Sequence, residues 1–586
     1  MNPNRRMLVL GIFFILMLCA ILYRLADIQL IHTESFSKKG VNLVQESVNQ
    51  RTQEVVIDDG RGRFVDRNGE SIQKHAEPSL VLFPFLKEIS WPAEELSNIV
   101  NISSNELKGL VSDTKEPVVL SKDDGVKLTK AELEKINELE IPGVFGIYRQ
   151  TLLDEALGEH IIGITGENAE RLREKYPDRT DLSYKTKIGV TGLEKAFDEF
   201  LLPDAETKLL YHVDGDGHPL FGINVKYIAD SNPFYPVTVQ TTIDKNIQEM
   251  AEKVLDQQKV EKGGLVLLDI ENNEILSMVS RPTLNRSESS TLTNYMLQPL
   301  FPGSVFKTVI SAAAIEYGLD DATRQFNCSL NLYGEDDGGQ DDGQLSFERS
   351  FAKSCNYTFT TLAEELMEKD KNVIENTADK LGLIGPVGWS GEVFHYENFK
   401  QLPDEKTGNI WGDEKDKSVE KAIDQTAIGQ KNVKITPLAI ANMMATIARG
   451  GQKEQIKIVK NILYKNGTNM FSFTSNSLGG EKLSPITASK LQKLLRLVVT
   501  DPEGTGRRFQ ASSFEVSGKS GTAQTGKKDE DGHTLYNKWF AGYFPSSNPR
   551  YALVVVEMDT TSAEAGTNAA FYDVVEEMSK IDERKN

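Results

Sequence analysis

Seventeen consecutive uncharged residues, Met7 to Tyr23, restrict this chain more than any other segment. Inside a bilayer every backbone N–H and C=O must be satisfied within the segment, so such a run can only be a helix. Its length falls inside the range that spans hydrocarbon. Arg5 and Arg6 precede it, and the positive-inside rule therefore leaves the N-terminus in the cytoplasm and everything after it outside. A cleaved signal peptide is the rival reading, but no small-x-small site appears before Arg24. Cys19 follows the bulky Leu18 inside the apolar run and reads as an ordinary membrane residue.

The remainder is composed for an exported, folded, multidomain protein. At 586 residues, 39% hydrophobic and 26% charged, it can bury at least two cores. A net charge of −20 excludes nucleic acid, which wants a basic face. Three cysteines, one of them in the apolar run, provide no disulfide framework. Cys328 and Cys355 could pair only within about 7 Å of each other, and two free, buried thiols are expected. The seven histidines lack ligand spacing, so neither metal nor cofactor is expected. Asp214-Gly-Asp-Gly-His218 has Val225 where a calcium loop needs a bidentate Glu, and reads as a tight turn. The acidic run Glu335 to Asp342 reads as a solvated loop.

Three short motifs carry chemistry: Ser304-Val-Phe-Lys307, Ser354-Cys355-Asn356, and Lys519-Ser520-Gly521-Thr522. Each has decoys. Ser-x-x-Lys recurs at Ser35, Ser71, Ser112, Ser350 and Ser418, mostly in polar stretches or loops; Ser329-Leu330-Asn331 repeats the second motif and Lys406-Thr407-Gly408 the third. Context selects among them. Phe301-Pro302-Gly303 precedes Ser304 and a dense apolar run follows, so Ser304 belongs in the first turn of a buried helix, where free N–H groups favour developing negative charge. A Ser hydroxyl needs a base, and Lys307, three residues on, can serve if burial or a nearby cation keeps it neutral. Ser354-Cys355-Asn356 opens a helical pattern, whereas Ser329 leads into a flexible acidic loop. There the Ser354 hydroxyl can pass a proton and the Asn356 amide can fix a substrate amide. Phe514 to Ala523 reads as a strand with return strands at Trp539–Phe544 and Tyr551–Glu557. Gly521 on such an edge admits a peptide closely. Lys519 would hold a carboxylate, oriented by Ser520 and Thr522, and would help keep Lys307 neutral.

This ordered set resembles the penicilloyl serine transferases and, more narrowly, the class B penicillin-binding proteins, the monofunctional D,D-transpeptidases of peptidoglycan synthesis. The family's Lys-Thr-Gly is Lys519-Ser520-Gly521 here, which keeps the hydroxyl. The resemblance implies Ser304 as acylated nucleophile, Lys307 as its base, Ser354 and Asn356 as the second motif, and Lys519, Ser520, Gly521 and Thr522 as substrate-binding residues. It also implies an oxyanion hole from the backbone N–H groups of Ser304 and Thr522, with peptidoglycan stem peptides and β-lactam antibiotics as the molecules bound. The plasma membrane, a SEDS-type glycosyltransferase and other cell-wall synthesis proteins are the implied partners. Gly263–Asp269 with Glu274–Met278, the helix from Asp244 to Gln257, and Ala427-Ile-Gly-Gln430 before the helix Leu438 to Ile447 extend the match over about residues 240 to 575. Arg61 to Gly69, Leu157 to Gly163 and Gly189 to Glu194 resemble segments of the family's N-terminal module, and their Gly and Arg content suits turns and buried ion pairs.

The expected fold is α+β: a central antiparallel sheet flanked by helices with a helical subdomain, preceded by a β-rich elongated module and one transmembrane helix. Residues 1–6 are read as a cytoplasmic tail, 7–23 as the anchor, 24–235 as the non-catalytic, dimerisation-like module and 236–586 as the transpeptidase domain. The charged stretch from Leu86 to Glu140 reads as a loosely constrained insertion. Two alternatives stand beside crosslinking. A β-lactam hydrolase or sensor would carry the same triplet, but no Glu-x-x-Leu-Asn is present to position a hydrolytic water. A scaffolding protein of a wall-building complex would make the triplet redundant.

Overall fold

The computed structural model describes residues 3–37, 41–153, 157–214, 218–220, 222, 224–229, 232–336, 342–561 and 566–585. Parts of the Asp214–His218 turn (215–217) and of the acidic run (337–341) lie outside them. The apolar run is helical within Pro3–Ala26, and the stretch Met7–Ile31 is long and apolar enough to cross a membrane, with none of its most apolar window buried in the protein.

The centre of the molecule is a five-stranded antiparallel sheet. Its strands are β1 (Gly263–Asp269), β2 (Glu274–Arg281), β3 (Ser517–Lys528), β4 (Thr534–Phe544) and β5 (Tyr551–Thr560), in spatial order β2-β1-β5-β4-β3. Both faces are covered, so its strands alternate between two cores rather than between core and water. On β5, Ala552, Val554 and Val556 join one core, while Leu553 and Val555 join the other. The second core is sealed by helix α1 (Lys245–Gln257) and by the C-terminal helix Thr567–Lys585. Against the first pack helices α2 (Lys307–Glu316), α3 (Phe347–Lys353), α4 (Asn356–Lys369), α5 (Glu420–Ala427), α6 (Pro437–Ala448) and α7 (Pro485–Thr500). Strand β3 is the edge, as its Gly-rich sequence suggests.

The N-terminal segments are fused to this domain. Strand Arg63–Val65 pairs in parallel with Thr238–Thr241, and Phe64, Ile161, Leu193, Phe197 and Leu201 enter the same core as Val237 and Val239. Arg61, buried, donates to Glu194 at 2.6 Å and Asp198 at 2.9 Å, and Gly189 N–H reaches Asp198 at 2.7 Å. Two segments, separated by 133 positions between Arg61 and Glu194, thus meet in one buried ion cluster.

The stretch from Leu86 to Glu140 is better constrained than its composition suggests. Helices Ala93–Val100, Ser104–Ser112 and Lys130–Glu138 close a core of Leu96, Leu107, Val111, Leu133 and Ile136 against strand Lys74–Leu82. Two of these helices start on side-chain caps, Ser103 to Glu106 and a reciprocal Thr129–Glu132 box. The charges mark the solvated face of these helices.

Candidate active site

Ser304 lies in a 3-10 turn, Gly303–Phe306, that feeds directly into α2, whose residues Lys307 to Ile315 are all buried. The turn is held from three sides. Gly303 has φ +56°, and a Cβ there would stand 2.3 Å from the carbonyl of Thr522. Its N–H donates to Gly429 O at 3.1 Å, which gives the Ala427 to Gln430 segment its place in the site. Trp539 on β4 donates from Nε1 to Phe301 O at 2.9 Å. Gly521 lets β3 reach this turn, since a Cβ on it would meet Pro302 O at 2.7 Å.

Lys307 is wholly buried and joins the first motif to the second. Its Nζ donates to Ser354 O at 2.6 Å, Asn356 Oδ1 at 2.6 Å and Ser354 Oγ at 3.2 Å. Burial, and then the charge of Lys519, lower its pKa well below the usual lysine range. Ser354 sits between α3 and α4 with φ +65°, a left-handed backbone that non-glycine residues rarely adopt. That conformation presents its carbonyl and its hydroxyl to the same lysine nitrogen.

Lys519, also fully buried on β3, closes the set. Its Nζ donates to Ser354 Oγ at 2.9 Å and to Ser520 O at 3.2 Å. Burial lowers its pKa to about 7. Ser520 Oγ donates to Thr505 Oγ1 at 2.9 Å, whereas Thr522 is exposed. Aromatic rings floor both lysines, Phe359 at 5.5 Å from Lys307 Nζ and Phe351 at 5.7 Å from Lys519 Nζ. All eight residues singled out by spacing therefore fall on these three converging elements.

The decoys fall elsewhere. Lys406 is exposed, and Ser329 Oγ accepts from Gly343 N–H in a turn. Ser350 departs from the expected polar surroundings by lying buried in α3. Its hydroxyl accepts from Thr358, and Lys353 is spent on Asp342 and Glu503. One expectation is overturned: Cys328 and Cys355 form a disulfide, with Cα atoms 5.7 Å apart. Strand Gln325–Asn327 carries Cys328 beside the start of α4, a proximity that no spacing of 27 residues discloses. Thr505, Trp539, Phe351 and Phe359 were also missed, for they belong to no motif and only packing brings them in.

Residues 263–576, more than half of the chain, match the family model of the penicillin binding protein transpeptidase domain, and residues 56–221 match that of the penicillin-binding protein dimerisation domain. The chain is a class B penicillin-binding protein. The penicillin-binding protein is 26% identical to peptidoglycan D,D-transpeptidase PbpA of Mycobacterium tuberculosis over 424 residues, 66% of this chain and 79% of that one. To peptidoglycan D,D-transpeptidase FtsI of Escherichia coli it is 23% identical over 581 residues, 93% and 86% of the two chains. Among solved structures, a chain from a peptidoglycan synthase complex that coordinates polymerization and crosslinking superposes with a TM-score of 0.65 at 22% identity, covering 97% of both. The penicillin-binding protein is accordingly a serine D,D-transpeptidase of peptidoglycan synthesis that binds β-lactams.

Proposed function

We propose that Ser304 is the acylated nucleophile of this transpeptidase and that Lys307, Ser354, Asn356, Lys519, Ser520, Gly521 and Thr522 complete the site. The observation that carries this reading is the position of Ser354 Oγ, 3.2 Å from Lys307 Nζ and 2.9 Å from Lys519 Nζ. Ser304 Oγ attacks the carbonyl of the penultimate D-Ala of a stem peptide, and Lys307, kept uncharged by burial, takes its proton. The oxyanion is met by the backbone N–H groups of Ser304 and Thr522, an effect worth roughly 3 kcal/mol of barrier in other acyl-transfer enzymes. The Ser354 hydroxyl passes the proton to the departing D-Ala amine. An amine of a second stem then attacks the ester carbonyl, losing its proton along the same path in reverse and restoring the Ser304 hydroxyl. A β-lactam, opened by the same attack, leaves a stable ester.

The chain would work from the outer side of the membrane, with residues 1–6 cytoplasmic, 7–23 as the anchor, 24–235 as the non-catalytic module and 236–586 as the transpeptidase domain. Arg5 and Arg6 support this orientation. A SEDS-type glycosyltransferase is proposed as partner on the family resemblance, in keeping with the synthase complex that shares this fold.

Full-length protein labelled with fluorescent penicillin tests the nucleophile. The adduct should persist for hours and vanish in Ser304→Ala; labelling that survives the substitution sinks the assignment, and rapid loss of the adduct would favour a hydrolase. With a stem-peptide donor and a D-amino acid acceptor, transfer is expected, and hydrolysis alone would count against it.

A further inference from the structure

The residue expected to hold the donor's terminal carboxylate, Lys519, faces inward. It is fully buried, its Nζ is committed to Ser354 Oγ and Ser520 O, and Ser520 Oγ is spent on Thr505. With a pKa of about 7 it carries only part of a charge at neutral pH. A different pair stands on the exposed side of β3.

On β3, Gly521 and Ala523 are buried while Thr522 and Gln524 are exposed. The register sets Thr522 opposite Lys538 of β4. Lys538 is half-buried, with Nζ over the ring of Tyr536 at 5.3 Å, and it donates to Thr522 Oγ1 in a long contact of 3.5 Å. A threonine hydroxyl has one proton. When its lone pair is taken by an ammonium, that proton is free to point outward. Lys538 and Thr522 together then present two donors and a positive charge on the open side of the edge strand. Burial lowers the pKa of Lys538, and Glu557, opposite it on β5, opposes that shift.

We propose that Lys538, which lies outside all three motifs, is the specificity-determining residue for an anionic acyl donor: its ammonium and the Thr522 hydroxyl it orients receive the donor's terminal carboxylate. Lys519 works inward, on the proton path through Ser354. The inference rests on Ser304 as the nucleophile in the site described above.

The test compares acylation of the full-length protein by benzylpenicillin and by its uncharged methyl ester, as the ratio of the two second-order rate constants. Replacing a charge-assisted contact should lower that ratio by about 10- to 100-fold in Lys538→Ala and in the longer Lys538→Gln. Lys538→Arg should restore most of it, and Lys538→Glu should lower it furthest. A ratio unchanged in Lys538→Ala and Lys538→Gln, whether the separate rate constants stay or fall together, overturns the proposal and leaves Lys538 a structural residue. Wild-type protein that neither compound acylates refutes the Ser304 reading itself, and this inference with it. Loss of the acid preference in folded Lys538→Gln, with Ser304 still labelled by the ester, supports it.

Discussion

Lys519 Nζ stands 2.9 Å from the hydroxyl of Ser354, so two residues 165 positions apart share one proton-carrying contact. The hydroxyl also receives Lys307, and the charge of Lys519 adds to burial in discouraging protonation of Lys307. Among the described residues, Ser354 Oγ is the one oxygen that touches both lysines. Ser354→Ala should therefore slow acylation by about 100- to 10,000-fold, the usual contribution of a proton-transfer group. Stopped-flow acylation by a chromogenic β-lactam measures it, and a rate within a few-fold of wild type would remove Ser354 from the proton path.

The burial of Lys519 has a signed consequence for stability. Its pKa is about 7 when folded and near the ordinary 10.5 when unfolded. Below pH 7 both states hold the proton and the folded state bears the full cost of the buried charge. Between pH 7 and 10.5 the unfolded chain binds more protons, so stability rises with pH. Thermal melts of wild type and Lys519→Met should show the wild type gaining relative to the variant over that interval. A difference flat in pH would mean that Lys519 is not buried as described.

Cys328–Cys355 closes a loop of 27 residues in sequence separation and ends inside the second motif. Cross-linking a loop of this size stabilises by about 3 to 4 kcal/mol in the chain-entropy account. Cys328→Ser should lower the melting temperature and slow acylation as well, because Ser354 and Asn356 flank the bridge. Mass spectrometry of alkylated protein, with and without reductant, checks the bond itself.

Gly303→Ala should slow acylation by about 100-fold, the effect of displacing a reacting group by roughly 1 Å. The new methyl would stand 2.3 Å from Thr522 O, and relief requires Ser304 to move off β3. Labelling kinetics at matched folded fraction would read this directly.

Arg61→Ala leaves Glu194 buried without a cation and Asp198 with Lys175 alone. Such a loss costs about 3 to 5 kcal/mol. Urea unfolding should show it, while the folded protein should still take up fluorescent penicillin, since the cluster lies in the N-terminal module.

Much of the site was legible because its signals are local. Pro302-Gly303 before an apolar run marks a turn entering a buried helix, and Gly521 within alternating residues marks an edge strand open to a peptide. Arg61, Gly189 and Glu194 were readable as structural but not as neighbours. The charged stretch from Leu86 to Glu140 misled because composition reports the wet face of a helix more loudly than the dry one.

The sequence by itself determined the apolar N-terminal helix, the order of elements and which Ser, Lys and Asn motifs sit at the starts of buried helices or on the edge strand, since each depends on residues within a turn or two. Tertiary structure alone decided that Cys328 meets Cys355, that Ser354 adopts φ +65° between two lysines, and that Lys519 is buried while Lys538 stands half-open beside Thr522. Proximity, desolvation and the charge state of a lysine are set by what surrounds a group in space, and residues far along the chain supply those surroundings.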